Sequence, residues 1–125
     1  MIKLTGCARR LPHLTHDEFD AYWRDQHGPL VRSLASALRI RRYVQTSTLM
    51  DGPLHEQIRA SRDSMQASFD GYAEIWFDSL EEMAAVRESE VGIQALQALL
   101  EDERRFVDLK CSQFWYGTER VVLGS

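Results

Sequence analysis

Tyr72-Ala73-Glu74-Ile75-Trp76-Phe77-Asp78-Ser79-Leu80-Glu81-Glu82 is the stretch that decides the fold. Ala73, Ile75 and Phe77 share one face of an alternating segment, and Tyr72, Glu74 and Trp76 share the other, so 70–77 reads as a strand. Asp78 or Ser79 then caps a helix whose first turn carries Glu81 and Glu82, where the helix dipole favours acids. Tyr72 and Trp76 stand opposite the apolar set, so both sides of the sheet need cover. A bare aromatic sheet face is costly in water. Pairing two sheets in a homodimer, through Tyr72, Glu74 and Trp76, is the simplest remedy.

Upstream, residues 2–9 alternate as a strand that Pro12 ends. Thr15 precedes Glu18 at capping-box spacing and starts a helix over about 16–37. Its large residues recur at helical spacing from Phe19 through Trp23, His27 and Val31. Gly28-Pro29 lies inside this helix, and a kink or break is expected there. Residues 39–50 read as a second strand, closed by an Asp51-Gly52-Pro53 turn. A short helix around 54–60 and a loop follow. Downstream of Phe77, helices are expected over about 79–100, broken near Ser89 to Gly92, and 102–107. A last strand covers 111–117, with a further edge at 121–123. The order is βαββαβ, an α+β ferredoxin-like sandwich with a four-stranded antiparallel sheet covered by helices on one face.

The chain has 125 residues, 44% hydrophobic and 27% charged, with a formal net charge of −4. This is the composition of one soluble globular domain, 1–125. The acidic balance argues against nucleic-acid binding. No apolar run reaches a membrane span. Met1-Ile2-Lys3-Leu4 lacks the apolar core of a signal peptide, and Cys7 and Cys111 are isolated thiols, so a cytoplasmic protein is expected.

The chain resembles the EthD-domain proteins of the dimeric α/β-barrel superfamily. The resemblance rests on Thr15-His16-Asp17-Glu18-Phe19-Asp20-Ala21-Tyr22-Trp23, His27-Gly28-Pro29-Leu30-Val31, Arg42-Tyr43-Val44-Gln45, Phe69 to Leu80, and Glu101-Asp102-Glu103-Arg104-Arg105-Phe106. Each piece is weak alone, and the ordered set covers nearly the whole length. The resemblance implies a homodimer whose two sheets close a barrel, and an apolar pocket between each sheet and its helices. Some relatives are cofactor-free dehydratases or isomerases, and the wider superfamily includes cyclases and quinone-forming monooxygenases. The name-giving relative accompanies an oxygenase system without assigned chemistry.

His27 is the first candidate for chemistry. An imidazole with a pKa near 6.5 can take and return a proton near neutrality. It could equally tie the helix break to the sheet through a buried carbonyl. Trp23, Tyr43 and Phe106 are expected to line the pocket with Gln45, and Asp70 either to supply a carboxylate that partners His27 there or to shape the entry to the strand before Gly71. Trp115 and Tyr116 are weaker candidates for the same wall. Glu74 shares the dimer face and so points away from His27. Arg59 and Arg62 either cover the pocket mouth or face solvent. His13 and His16 are expected to be solvated, and no metal or nucleotide motif frames His55 or the others. The resulting expectation is a cofactor-free lyase (dehydratase) or isomerase, acting on an apolar, aromatic or polycyclic oxygenated metabolite with His27 as acid/base. A non-catalytic binding or accessory protein, or a cofactor-free monooxygenase, are the alternatives.

Overall fold

A computed structural model describes residues 1–50, 52–64 and 67–124. Its sheet has the order β2-β3-β1-β4, built from β1 (Ile2–Ala8), β2 (Arg42–Ser47), β3 (Gly71–Phe77) and β4 (Gln113–Gly117), with every pairing antiparallel. The fold is the α+β arrangement that the alternation in 70–77 predicts. Strand register sorts the side chains. Leu4 faces Ile75, Gly6 faces Ala73 and Phe114, and Tyr43 faces Ile75, all on the helix-covered side. Lys3, Glu74, Trp76 and Tyr72 fall on the other.

Helix α1 (His16–Tyr22) starts as its sequence dictates: Glu18 N–H donates to Thr15 Oγ1 at 3.1 Å and Thr15 N–H donates to Glu18 Oε1 at 2.9 Å. Of the kink or break expected at Gly28-Pro29, the break does not occur. The helix widens instead into a π turn over Trp23–His27 and continues as α2 (Gly28–Leu38), with Pro29 in its first turn. Proline has no N–H to return to the carbonyl four residues back, and the wider turn absorbs that loss.

Four other expectations shift. The second strand spans 42–47 rather than 39–50, because Arg39 takes a left-handed conformation (φ 58°) that closes α2. Gly52 and Pro53 open a helix, α3 (Gly52–Ser61), where a first-turn proline is at home. Asp51, the start of the expected turn, lies outside the described residues. The helix expected at 102–107 is the end of α5 (Glu90–Glu103) followed by a turn and a bridge from Val107 to Arg10. Val121, Val122 and Leu123 form no edge strand and are largely exposed.

Between α4 (Leu80–Glu88) and α5 the chain turns at Ser89, whose Oγ accepts from Gly92 N–H at 3.0 Å. Two apolar clusters hold the helices, the first against the sheet through Ala8 and Ala73 and the second against one another. Phe19, Trp23, Phe106 and Val107 form one, and Leu38, Val86 and Ala95 the other. No helix among the described residues is long and apolar enough to cross a membrane.

The α4–α5 elbow depends on a residue without a side chain. A Cβ on Gly92 would sit 2.0 Å from the Val86 carbonyl oxygen, whereas one on Gly117 would meet nothing within 4 Å. Gly92→Ala should therefore cost about 3 kcal/mol and lower the melting temperature by about 10 °C. Gly117→Ala should be close to neutral. Equal melting temperatures for the two variants would contradict this elbow.

Candidate active site

The π turn aims His27. Gly28 N–H reaches back five residues to the Trp23 carbonyl, and Gln45 Nε2 donates to the same oxygen at 3.0 Å. A Cβ on Gly28 would come within 3.3 Å of that Gln45 nitrogen, so a small residue lets β2 approach the turn. Gln45 Nε2 also donates to the Tyr43 hydroxyl at 3.1 Å. One amide thus fixes both the turn that carries His27 and the tyrosine on the neighbouring strand.

His27 is 6% exposed, and its Nδ1 lies 2.7 Å from Asp102 Oδ2. Asp102 is 5% exposed. Its other oxygen accepts from Tyr22 Oη at 2.5 Å and from Arg105 Nη1 at 3.2 Å. Burial works against the Asp102 charge, but the bonds from Tyr22, His27 and Arg105 outweigh it and hold the carboxyl below the usual range. Burial pushes the His27 imidazole below its ordinary 6.5, and Asp102 restores only part of that. The result at neutral pH is an anionic Asp102 against a neutral imidazole. An anion only accepts hydrogen bonds, so the proton sits on Nδ1 and the Nε2 lone pair is left free.

Nε2 has no hydrogen-bond partner among the described residues, yet it is not a sealed, unsatisfied atom. The imidazole borders a cavity of about 570 Å³ between helices and sheet. Trp23, Tyr43 and Phe106 line it with Leu4, Ala73 and Ile75, so most of its wall is apolar. The Phe106 ring centre is 5.0 Å from that of His27 and 5.4 Å from that of Phe19. Trp23 keeps its place because Gly71 has no side chain; a Cβ there would sit 2.6 Å from the indole. Phe114 and Tyr116 border the cavity from β4 and are about half exposed, which opens it on that side.

The residues expected around this cavity separate into groups. His27, Trp23, Tyr43 and Phe106 meet in it, and Gln45 stands behind as a positioning residue. Asp70 does not belong. The Ala8–Gly71 register places it beside Arg10, which donates to it from backbone N at 2.8 Å and from Nη1 at 2.7 Å, with His16 Nδ1 at 3.0 Å. His16 is thus engaged rather than solvated. Arg59 and Arg62 donate to Ser68 and Ser61 and do not line the cavity. On the far sheet face Glu74 pairs with Lys3 at 2.7 Å. Trp76 there is 8% exposed, covered by Lys3, Arg42 and a hydrogen bond to Glu119, while Tyr72 and Trp115 stay 40% and 48% exposed, Trp115 also bordering the cavity from β4.

Two acids escape the sequence reading. Asp102 looks like part of a solvated charge run, but it follows Ala95 by seven and precedes Phe106 by four, so it falls on the buried face of α5. Glu103 lines the cavity from the same helix end. Burial, with the Asp102 charge beside it, pushes its carboxyl up to about 7.

The model of the EthD domain matches residues 11–110. Among solved structures, an EthD-family protein from Bacillus halodurans C-125 superposes with a TM-score of 0.63 at 20% identity, over 96% of this chain and 99% of that one. An EthD-like protein from Ralstonia eutropha JMP134 gives 0.58 at 17%, over 95% and 94%. A dimeric protein of unknown function and ferredoxin-like fold from Bacteroides fragilis NCTC 9343 gives 0.58 at 8%, over 93% of each chain. A comparison with the curated proteins finds no match.

The tautomer assignment can be read directly from imidazole nitrogens. In 15N-labelled protein at neutral pH, His27 should show a protonated Nδ1 and a bare Nε2. Asp102→Asn removes the anion that favours the imidazolium, so the His27 pKa should fall further. A protonated Nε2 in the wild type, or a His27 pKa that rises in Asp102→Asn, would contradict the assignment.

Proposed function

The chain belongs to the EthD domain family, and from that premise we propose that it is a lyase of the dehydratase type, or an isomerase, acting on an apolar, aromatic or polycyclic oxygenated metabolite. One observation carries this reading: an imidazole held at Nδ1 by a buried anion borders an apolar cavity, with Nε2 bonded to none of the described residues. This is the arrangement of a general base. Nε2 takes a proton from the carbon next to a carbonyl, and the imidazolium formed is stabilised by Asp102. The electron pair left behind moves into the substrate's own carbonyl as an enolate, so the step needs no cofactor. Tyr43 accepts from Gln45 and keeps its own proton to donate to the enolate oxygen. Collapse of the enolate expels a hydroxyl from the next carbon, or returns the proton elsewhere and moves the double bond. The apolar wall favours a flat hydrocarbon frame.

The subunit is proposed to work as a homodimer joined through the sheet face of Tyr72, Glu74 and Trp76, closing a barrel. Exposed Tyr72 and Trp115 on that face support it, as does the dimeric relative of ferredoxin-like fold. The free thiols Cys7 and Cys111 suit a reducing compartment, the cytoplasm.

Both readings have direct tests. 3-Hydroxy-1-tetralone, a bicyclic β-hydroxy ketone, loses water to give fluorescent 1-naphthol, and the protein should accelerate this. His27→Gln should lower kcat by about 100-fold or more while leaving the fold intact. Ligand binding with no product in the wild type would show a binding protein instead. Sedimentation should give twice the 14.4 kDa chain mass, and Tyr72→Lys should return it to the single-chain value. A single-chain mass for the wild type would sink the dimer.

A further inference from the structure

The cavity contains a second proton-bearing group that the action of His27 leaves unused. Glu103 follows Asp102 at the end of α5, and its side chain lines the cavity that His27 and Tyr43 line. Leu96, Leu99 and Leu100 precede it on the same wall, so its carboxyl ends an apolar stripe at helical spacing. It has no hydrogen-bond or ion-pair partner among the described residues. A half-buried carboxyl without a donor is least costly when it keeps its proton. The neighbourhood agrees. Asp102 from the same helix repels a second negative charge, His27 from the π turn is neutral, and Tyr43 from β2 and Tyr116 from β4 are phenols. Arg87 from α4 supplies the cation of the lining and is exposed. Glu103 therefore holds its proton up to about pH 7, in the range where His27 has already lost its own.

We propose that Glu103 is the general acid of this cavity, giving its proton to the hydroxyl that leaves while His27 takes the carbon-bound proton. The proposal rests on the reading of His27 as base and adds the proton source for the leaving group. The C–H bond breaks, its proton goes to Nε2 and its electron pair becomes the new carbon–carbon double bond. The C–O bond breaks, its pair leaves on oxygen, and the Glu103 proton turns that oxygen into water. Imidazolium and carboxylate remain, and transfer of one proton from His27 to Glu103 through solvent restores both. Two groups with separated proton affinities divide the acid and base roles, as paired catalytic groups do. The substrate class narrows accordingly to uncharged cyclic ketones bearing a hydroxyl on the β carbon.

The test follows 1-naphthol formation from 3-hydroxy-1-tetralone against pH for wild type, Glu103→Gln and His27→Gln, beside a 13C titration of the glutamate carboxyls. Wild-type kcat should rise as His27 loses its proton and fall above about pH 7 as Glu103 loses its own. Glu103→Gln should lower kcat by about 100-fold, leave KM nearly unchanged and abolish the alkaline fall. A carboxyl resonance with a midpoint near 7 should be missing from the same variant. Circular dichroism and a melting temperature no lower than wild type above neutrality establish that Glu103→Gln is folded. That sign follows from linkage. A folded-state pKa raised from 4.5 to about 7 makes the native state bind the extra proton in that window, so stability falls as pH rises through it and the amide removes the loss. Retained kcat and a retained alkaline limb in Glu103→Gln, with His27→Gln inactive, would overturn the Glu103 role alone. So would a Glu103 carboxyl titrating near 4.5. A wild type no faster than His27→Gln would overturn the base, and the acid with it.

Discussion

Asp102 is a charged carboxylate almost wholly withdrawn from water, and such a group is tolerated only where donors replace its lost hydration. Three donors arrive from two parts of the chain: Tyr22 from α1, His27 from the π turn, and Arg105 from just beyond α5. The bonds from Tyr22 and His27 therefore fasten the first helical segment to the end of α5 as well as neutralising a charge. They also settle the imidazole's proton. Removing a donor without replacing it leaves the anion short and loosens the same junction, whereas a residue that still donates, such as glutamine at position 27, can keep the junction and lose the chemistry.

The π turn is what lets His27 meet that anion. Pro29 removes one backbone donor from the helix, and the extra residue in the turn takes up the deficit without ending it. Gln45 then supplies a donor to the Trp23 carbonyl from a strand across the fold. Gly28 and Gly71 are small for a related reason, since β2 approaches the turn at the first and the Trp23 indole fills the space above the second. A local defect in one helix is thereby held by two separate contacts, the Gln45 amide and the Trp23 indole over Gly71, which is how an irregular turn persists at a site.

The strand alternation of 70–77, the capping box at Thr15 and the Ser79 cap are local signals, and each leads to the element observed. The π turn was not legible, because a Gly-Pro pair looks the same whether it breaks a helix or is rescued by an amide from 22 residues away in sequence. Asp102 had a usable signal in its spacing from Ala95 and Phe106, but four charged neighbours from Glu101 to Arg105 gave the segment the look of a solvated face. Asp70 stands away from the cavity for a different reason. Its position in the sequence just before β3 says nothing of register, and the antiparallel pairing with β1 sends it to Arg10 and His16 instead of the cavity. Membership of the EthD domain family and the similarity to solved structures establish the fold, while the chemistry rests on where four side chains and one buried anion meet.

The central claim is that the free Nε2 of His27 faces the oxygen-bearing edge of a flat apolar ligand inside this cavity. A crystal structure of the protein soaked with 1-naphthol tests it most directly. The account predicts the naphthyl ring against Trp23 and Phe106, with the phenolic oxygen about 2.6–3.2 Å from Nε2. Naphthol seated elsewhere, or a cavity filled by its own side chains with Nε2 bonded to protein, would contradict it.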